Sequence, residues 1–117
     1  MISGLMPRYS DKFYAVLRIV AGFLFACHGL QKFGLLGGRM VPLMSQFGAA
    51  GIIEVVGGSL IALGVLVTPV AFICAGEMAV AYFQAHAPRG LFPAQNGGEL
   101  AALYCFVFLY ICTRARK

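Results

Sequence analysis

Residues 49–67 read AAGIIEVVGGSLIALGVLV and residues 69–85 read PVAFICAGEMAVAYFQA, two apolar runs parted by Thr68. Each approaches the roughly 20 residues that a helix needs to cross a hydrocarbon layer. Each also carries one glutamate, Glu54 in the first and Glu77 in the second. An ionisable group in such a run costs about 2.5–3.5 kcal/mol on insertion scales, so it faces a bundle interior and finds a partner. The pair of runs predicts two neighbouring transmembrane helices joined by a very short turn at Thr68–Pro69, with Pro69 tolerated in the first turn of the second helix.

Two further runs flank this pair, 13–33 and 97–113, and Glu99 lies at the start of the last one. The chain has 117 residues, of which 61% are hydrophobic and 11% charged, with mean hydropathy +0.87. A soluble domain carries about 25% charged residues, and a chain this short could not bury so much apolar surface within itself. The expectation is an all-α fold: a single integral membrane domain over 1–117, a transmembrane four-helix bundle running up-down-up-down, with spans at about 13–33, 49–67, 69–86 and 97–113. The first run is longer than the about 7–15 apolar residues of a signal peptide and lacks a small-residue cleavage pattern, so it reads as a retained helix.

The connecting segments carry their own signals. Gly34, Gly37, Gly38 and Pro42 interrupt residues 34–48, while Met40, Leu43, Met44 and Phe47 repeat at helical spacing. That spacing predicts a short interfacial helix in the first outer loop. Pro88, Gly90 and Pro93 mark a second long loop at 87–96. Ala50, Gly58 and Ala62 share a row with Glu54, and Ala71, Ala75 and Ala79 form another. Small residues at this spacing let helices approach closely in lipid, and they predict a tight hairpin of spans two and three. Phe47 with Glu54 and Phe92 with Glu99 share a seven-residue spacing, which suggests a weak duplication of a two-helix unit.

The net charge is +5, scattered near span ends with no continuous patch, which argues against a nucleic-acid partner. With four spans both termini share a side. That side collects Arg8, Lys12, Arg18, Arg114, Arg116 and Lys117, against Lys32, Arg39 and Arg89 on the other. Excess Lys and Arg is retained in the cytoplasm, so both termini are expected there.

Helical rise then places the polar groups in depth. Glu99 lies about 3 Å inside the outer boundary, His28 and Glu54 about 7–8 Å, and Glu77 about 13 Å, with Lys32 and His86 at the rim. All four helices contribute to this outer-half cluster. Neutralising pairs are expected of Lys32 or His28 with Glu54 or Glu99, and of Arg18 with Glu77. Glu99 has a structural alternative as the third residue after an Asn96 cap, and Glu54 could serve similarly near its helix start. Glu77 is too deep for capping. No His or Cys spacing supports a metal, and Cys27, Cys74, Cys105 and Cys112 read as small buried hydrophobes.

Residues 76–83, GEMAVAYF, followed by His86, Pro88, Gly90, Pro93 and the run Asn96, Gly97, Gly98, Glu99, resemble the signature of the DoxX family. Arg18, Gly22, Phe25, His28, Gly29 and Lys32 resemble its first helix; Gly51, Glu54, Gly57, Gly58 and Gly64 its second; Tyr104, Cys105, Leu109 and Tyr110 its fourth. The resemblance spans about residues 13–110. It implies a small four-helix protein of the bacterial cytoplasmic membrane, associated with quinol oxidase or thiosulfate:quinone chemistry in some members. It carries over Arg18, His28, Lys32, Glu54, Glu77, His86 and Glu99 as polar motif residues.

The functional expectation is an integral membrane subunit of a redox or respiratory system. It would bind quinone or a thiosulfate-type small molecule in an outer-half polar pocket. His28, Lys32, Glu54, Glu77, Tyr82, His86 and Glu99 are the candidate binding residues. The sequence shows no flavin, haem or iron–sulfur motif, so electrons are expected from a protein partner. No reactive cysteine pair suits autonomous disulfide formation. The alternative is a non-catalytic assembly or anchoring subunit of a larger membrane complex, and a weaker one is transport of a small solute.

Overall fold

The computed structural model describes residues 6–38, 40–42, 44–90 and 97–115, with the side chains of Ala85 and Ala87 left aside. It is all-helical over those residues. Helix α1 is Ser10–Gln31, α2 is Gln46–Leu63, α3 is Val67–Ala81 and α4 is Glu99–Arg114. A 3₁₀ turn, Met6–Tyr9, leads into α1. A π-helical segment, Tyr82–His86, and a 3₁₀ turn, Ala87–Arg89, extend α3.

Three segments, Met6–Gln31, Gln46–Leu63 and Val67–Gln84, are long and apolar enough to cross a membrane. The 16 residues of α4 rise only about 24 Å, short of the roughly 30 Å hydrocarbon layer.

Helix α2 shows why the boundaries fall where they do. Ser45 is its N-cap, in extended conformation, and Ser45 Oγ accepts from the Gly48 amide at 3.1 Å. At the other end Gly64 takes the left-handed conformation, with φ +83, and its amide donates to Leu60 and Ile61 carbonyls. The Val65 amide also donates to the Leu60 carbonyl at 2.9 Å, closing a Schellman-type end. The turn therefore lies at residues 64–66 rather than at Thr68–Pro69. Pro69 sits inside the first turn of α3, where the missing N–H costs nothing.

The expected interfacial helix is not formed. Among the described residues of 34–45 there are only turns and extended links. Gly34, Leu36 and Gly37 all have positive φ, at 82, 52 and 80, and that conformation cannot propagate a right-handed helix. Phe47 belongs to the first turn of α2, and Leu43, a second member of the predicted repeat, lies outside the described residues.

The small residues pack differently from expectation. Gly58 and Ala62 face α1, not α3. A Cβ on Gly58 would come 2.5 Å from the Gly22 carbonyl and 2.6 Å from the Ala26 nitrogen; one on Gly22 would come 2.6 Å from the Gly58 carbonyl. Glycines on both α1 and α2 allow backbone to touch backbone there. Toward α3, only Gly57 makes such an approach, and what it meets is the Cys74 thiol, 2.6 Å from where a Cβ would stand. The tightest seam is thus α1 with α2, and α3 packs most extensively along α4.

The two pairs meet through side chains. Phe25 of α1 packs against the stacked rings of Tyr104 and Phe108 of α4, with ring centroids 5.1 and 4.7 Å away. Phe25, Ile61, Ala71, Cys74, Phe108 and Ile111 are almost completely buried and form the centre. Below them, Asp11 pairs with Arg114, the Arg114 guanidinium lies 4.6 Å over the Tyr14 ring, and Thr68 Oγ1 donates to the Cys112 carbonyl at 3.1 Å. These contacts close this half of the molecule, although the Tyr14 hydroxyl is buried there with no hydrogen-bond partner among the described residues. Outward, Phe13, Val16, Val20 and Phe23 of α1, Phe72 and Val80 of α3, and Leu103 and Phe106 of α4 are exposed.

Candidate functional site

The opposite half is hollow. A cavity of about 760 Å³ lies between the two helix pairs, floored by Phe25 and Tyr104 and walled by Ile53, Ile73, Met78 and Leu100 among others. His28, Lys32, Glu54, Glu77 and His86 all line it. A mostly apolar cavity with a few convergent polar groups is the usual form of a small-molecule site.

The polar groups fall at two levels. At the deep level, Lys32 Nζ donates to Glu54 Oε1 at 2.9 Å, joining the end of α1 to the middle of α2. Gly29, one turn before Lys32, makes this possible: a Cβ there would stand 2.7 Å from the Val55 nitrogen and 2.8 Å from Glu54 Cβ. Glu54 is 1% exposed, whereas the Lys32 side chain keeps 23%, so the lysine reaches the pair from the rim. Glu77 faces the same cavity from α3. Its Oε1 is buried with no hydrogen-bond partner. His28 stacks edge-on against Tyr104, centroids 6.0 Å apart.

The upper level lies about 10 Å away, seven residues along from Glu77 at α-helical rise. There Gln46 of α2 donates to Gln84 of the π segment, and His86 turns its Nδ1 inward, buried and without a partner. The π geometry widens the end of α3 at this point, a feature often found at functional sites. Gly98 lets α4 start against it: a Cβ there would stand 2.6 Å from His86 Cβ and 2.8 Å from Tyr82 Cδ1.

Three sequence expectations are placed elsewhere. Arg18 does not pair with Glu77. Its guanidinium donates to the Ile61 and Ala62 carbonyls at 2.5 and 3.0 Å, because a long cation one turn from Gly22 meets the open carbonyls at the α2 C-terminus, where positive charge is favoured. Glu99 is exposed at the first position of α4, whose N-cap is Gly98, and does not line the cavity. The capping-box register with Asn96 is therefore absent, and Asn96 itself lies outside the described residues. Tyr82 packs its ring 6.4 Å from that of His86 behind the cavity wall.

Gln46, Gln84 and Tyr104 are cavity residues that the sequence reading did not name as candidates. The signal was present for Gln84, an uncharged polar residue inside an apolar run. It was weak for Gln46, which stands at a helix start where polar residues are ordinary. All four cysteines are free, and among the described residues no three His, Cys, Asp or Glu side chains gather as a metal site.

The DoxX family model matches residues 13–87, from α1 through the π segment that carries His86. The chain belongs to the DoxX family. An uncharacterized protein of Haemophilus influenzae is 42% identical over 113 residues, covering 90% of this chain and 84% of that relative. No solved structure matches. The family and the three long apolar helices make this a multi-pass membrane protein, and its exposed apolar faces are in contact with lipid. The match ends before α4, so the floor residue Tyr104 lies beyond it while Lys32, Glu54 and Glu77 lie within it.

Proposed function

We propose that the cavity receives the head group of a lipid-soluble quinone and that the protein is a membrane subunit of a redox or respiratory system. The observation that carries this reading is one apolar cavity in which two buried polar atoms, Glu77 Oε1 and His86 Nδ1, have no hydrogen-bond partner among the described residues. Buried polar atoms left unpaired cost about 1–3 kcal/mol each, and a ligand with polar ends in an apolar frame removes that cost. Phe47, Ile73, Val80 and Leu100 line the cavity and stay exposed; an apolar mouth of this kind suits a ligand that enters from the membrane.

A thiosulfate-type ligand is the weaker occupant. Lys32 is the one lysine or arginine among the described lining residues, it is already engaged by Glu54, and Glu77 adds a second carboxyl. A dianion placed there would meet more acid than base.

In this reading the electrons come from a protein partner, and the cavity residues hold and orient the ring. The bundle runs up-down-up-down in the bacterial inner membrane with both termini cytoplasmic. The alternating helix direction is supported by contacts in opposing sequence order: Arg18 with Ile61 and Lys32 with Glu54, Gln46 with Gln84 and Gly57 with Cys74, Asp11 with Arg114 and Phe25 with Tyr104.

Purification in lipid nanodiscs followed by mass spectrometry of extracted lipids tests the occupant. Quinone is expected to co-purify near one per chain, and to fall at least fivefold in Glu77→Gln and in His86→Ala. A well-folded protein that retains no quinone and does not bind added quinone overturns the reading. Co-purification with a larger complex whose activity survives both substitutions would instead make the chain an anchoring subunit.

A further inference from the structure

The deep level of the cavity contains two carboxyls and one ammonium. Lys32 lies 2.9 Å from Glu54, Glu77 faces the same cavity from α3, and Oε1 of Glu77 is buried with no hydrogen-bond partner among the described residues. The other titratable groups around the pair are His28 of α1, Cys74 of α3 itself, Tyr104 of α4 and His86 of the π segment. None of these is a fixed cation, and Arg18 is occupied by the end of α2 on the filled side.

Charge counting then constrains the cluster. Two carboxylates side by side in a cavity shielded from water repel strongly, and one lysine neutralises only one of them. Two ionised carboxyls are also acceptors alone, with no hydrogen to place between them. A single proton resolves both problems: it brings the trio to zero net charge and supplies the donor that joins the two oxygens. We propose that Glu54 and Glu77 share one exchangeable proton, making Lys32, Glu54 and Glu77 a neutral proton-binding site that faces the cavity.

The bookkeeping of a transfer is simple. When the O–H bond at Glu77 breaks, its proton forms an O–H bond on a ligand oxygen in the cavity, the carboxyl becomes a carboxylate, and the trio carries one negative charge. A proton arriving from the aqueous rim, past Gln46, Gln84 and His86, restores it. No electrons move in this step. The site serves any ligand whose oxygen gains or loses a proton, and it stands whether or not that ligand is a quinone.

Infrared spectroscopy of the full chain in quinone-free nanodiscs tests this directly. At neutral pH the spectrum should contain a protonated-carboxyl carbonyl band equivalent to one group per chain, shifted on exchange into D2O and by ¹³C-glutamate labelling. Both Glu77→Gln and Glu54→Gln should abolish it, since Lys32 then pairs with whichever carboxylate remains. Glu99→Gln should leave it intact. Lys32→Met should double it, because a second proton replaces the lost cation. Absence of the band in folded wild-type protein, its survival in a folded Glu54→Gln variant, or an unchanged intensity in Lys32→Met would overturn the proposal. If the Glu54 variant does not fold, the glutamate-labelled wild-type spectrum decides alone, by showing one protonated side chain or none. Quinone binding plays no part in these measurements, so this idea and the quinone reading can fail separately.

Discussion

At the scale of single residues, Arg18 and Lys32 show two ways of keeping a cation inside an apolar helix. Lys32 finds a carboxylate; Arg18 finds only carbonyl oxygens, those of Ile61 and Ala62. Charge-assisted hydrogen bonds contribute about 1.5–3 kcal/mol, so Arg18→Met should lower unfolding stability by about that amount in a denaturant or thermal titration. Because Arg18 and Glu77 do not touch, Arg18→Met and Glu77→Gln should add to within about 0.5 kcal/mol, and a larger coupling would restore the ion pair that the sequence suggested. That suggestion arose because a sequence displays charged side chains but not open carbonyls. Lys32 with Glu54 was legible as one of several pairings, since a long lysine at the rim can reach down to a carboxyl a turn or so below it. His86 was legible as a polar motif residue, but its inward-facing Nδ1 depends on a π turn that no spacing rule announces.

Helix packing depends on which face each glycine presents. The seam of α1 with α2 is backbone against backbone at Gly22 and Gly58, whereas Gly57 meets a movable thiol on α3. Gly58→Ala must therefore push two helices apart, at about 1–3 kcal/mol or more, while Gly57→Ala should cost less and recover when Cys74→Ala is added. Thermal unfolding of the three variants in one detergent checks the order; equal losses at both glycines would show that the seam is looser than described. Ser45→Ala removes the side-chain oxygen that receives the Gly48 amide and should cost about 1 kcal/mol, in keeping with other N-caps. The existence of the helices was readable from apolar run length. Their partners were not, because Gly57 and Gly58 are adjacent in sequence yet point to different neighbours. The false interfacial helix has a related cause: a helical repeat of apolar residues was present, but Ser45 inside it takes extended backbone, φ −100 and ψ 170, and caps α2 instead.

The whole molecule is two helix pairs, sealed together by aromatic rings at one end and parted by a cavity at the other. Phe25→Ala opens the seal, and truncation of a buried phenylalanine costs about 3–5 kcal/mol; stability should fall by that much, with the cavity extended toward the filled half. The inferred topology predicts that tags at the two termini are equally protected from protease in right-side-out vesicles, and opposite protection would overturn it. Membrane residence and the gathering of His28, Lys32, Glu54, Glu77 and His86 toward one end of the helices could be read before any coordinates, because composition and helical rise point to them. The emptiness between the pairs could not, since it depends on how far apart helices settle. One consequence reaches beyond this chain. A π turn holds an additional residue relative to α-helical winding, and each residue of a helix turns the next by about 100°. Deleting a single position between Tyr82 and His86 would therefore let α3 wind on regularly with the imidazole near its present facing, so relatives one residue shorter here would hold the same inward histidine on an unbroken α-helix, whereas regular winding at full length would turn it by about 90°.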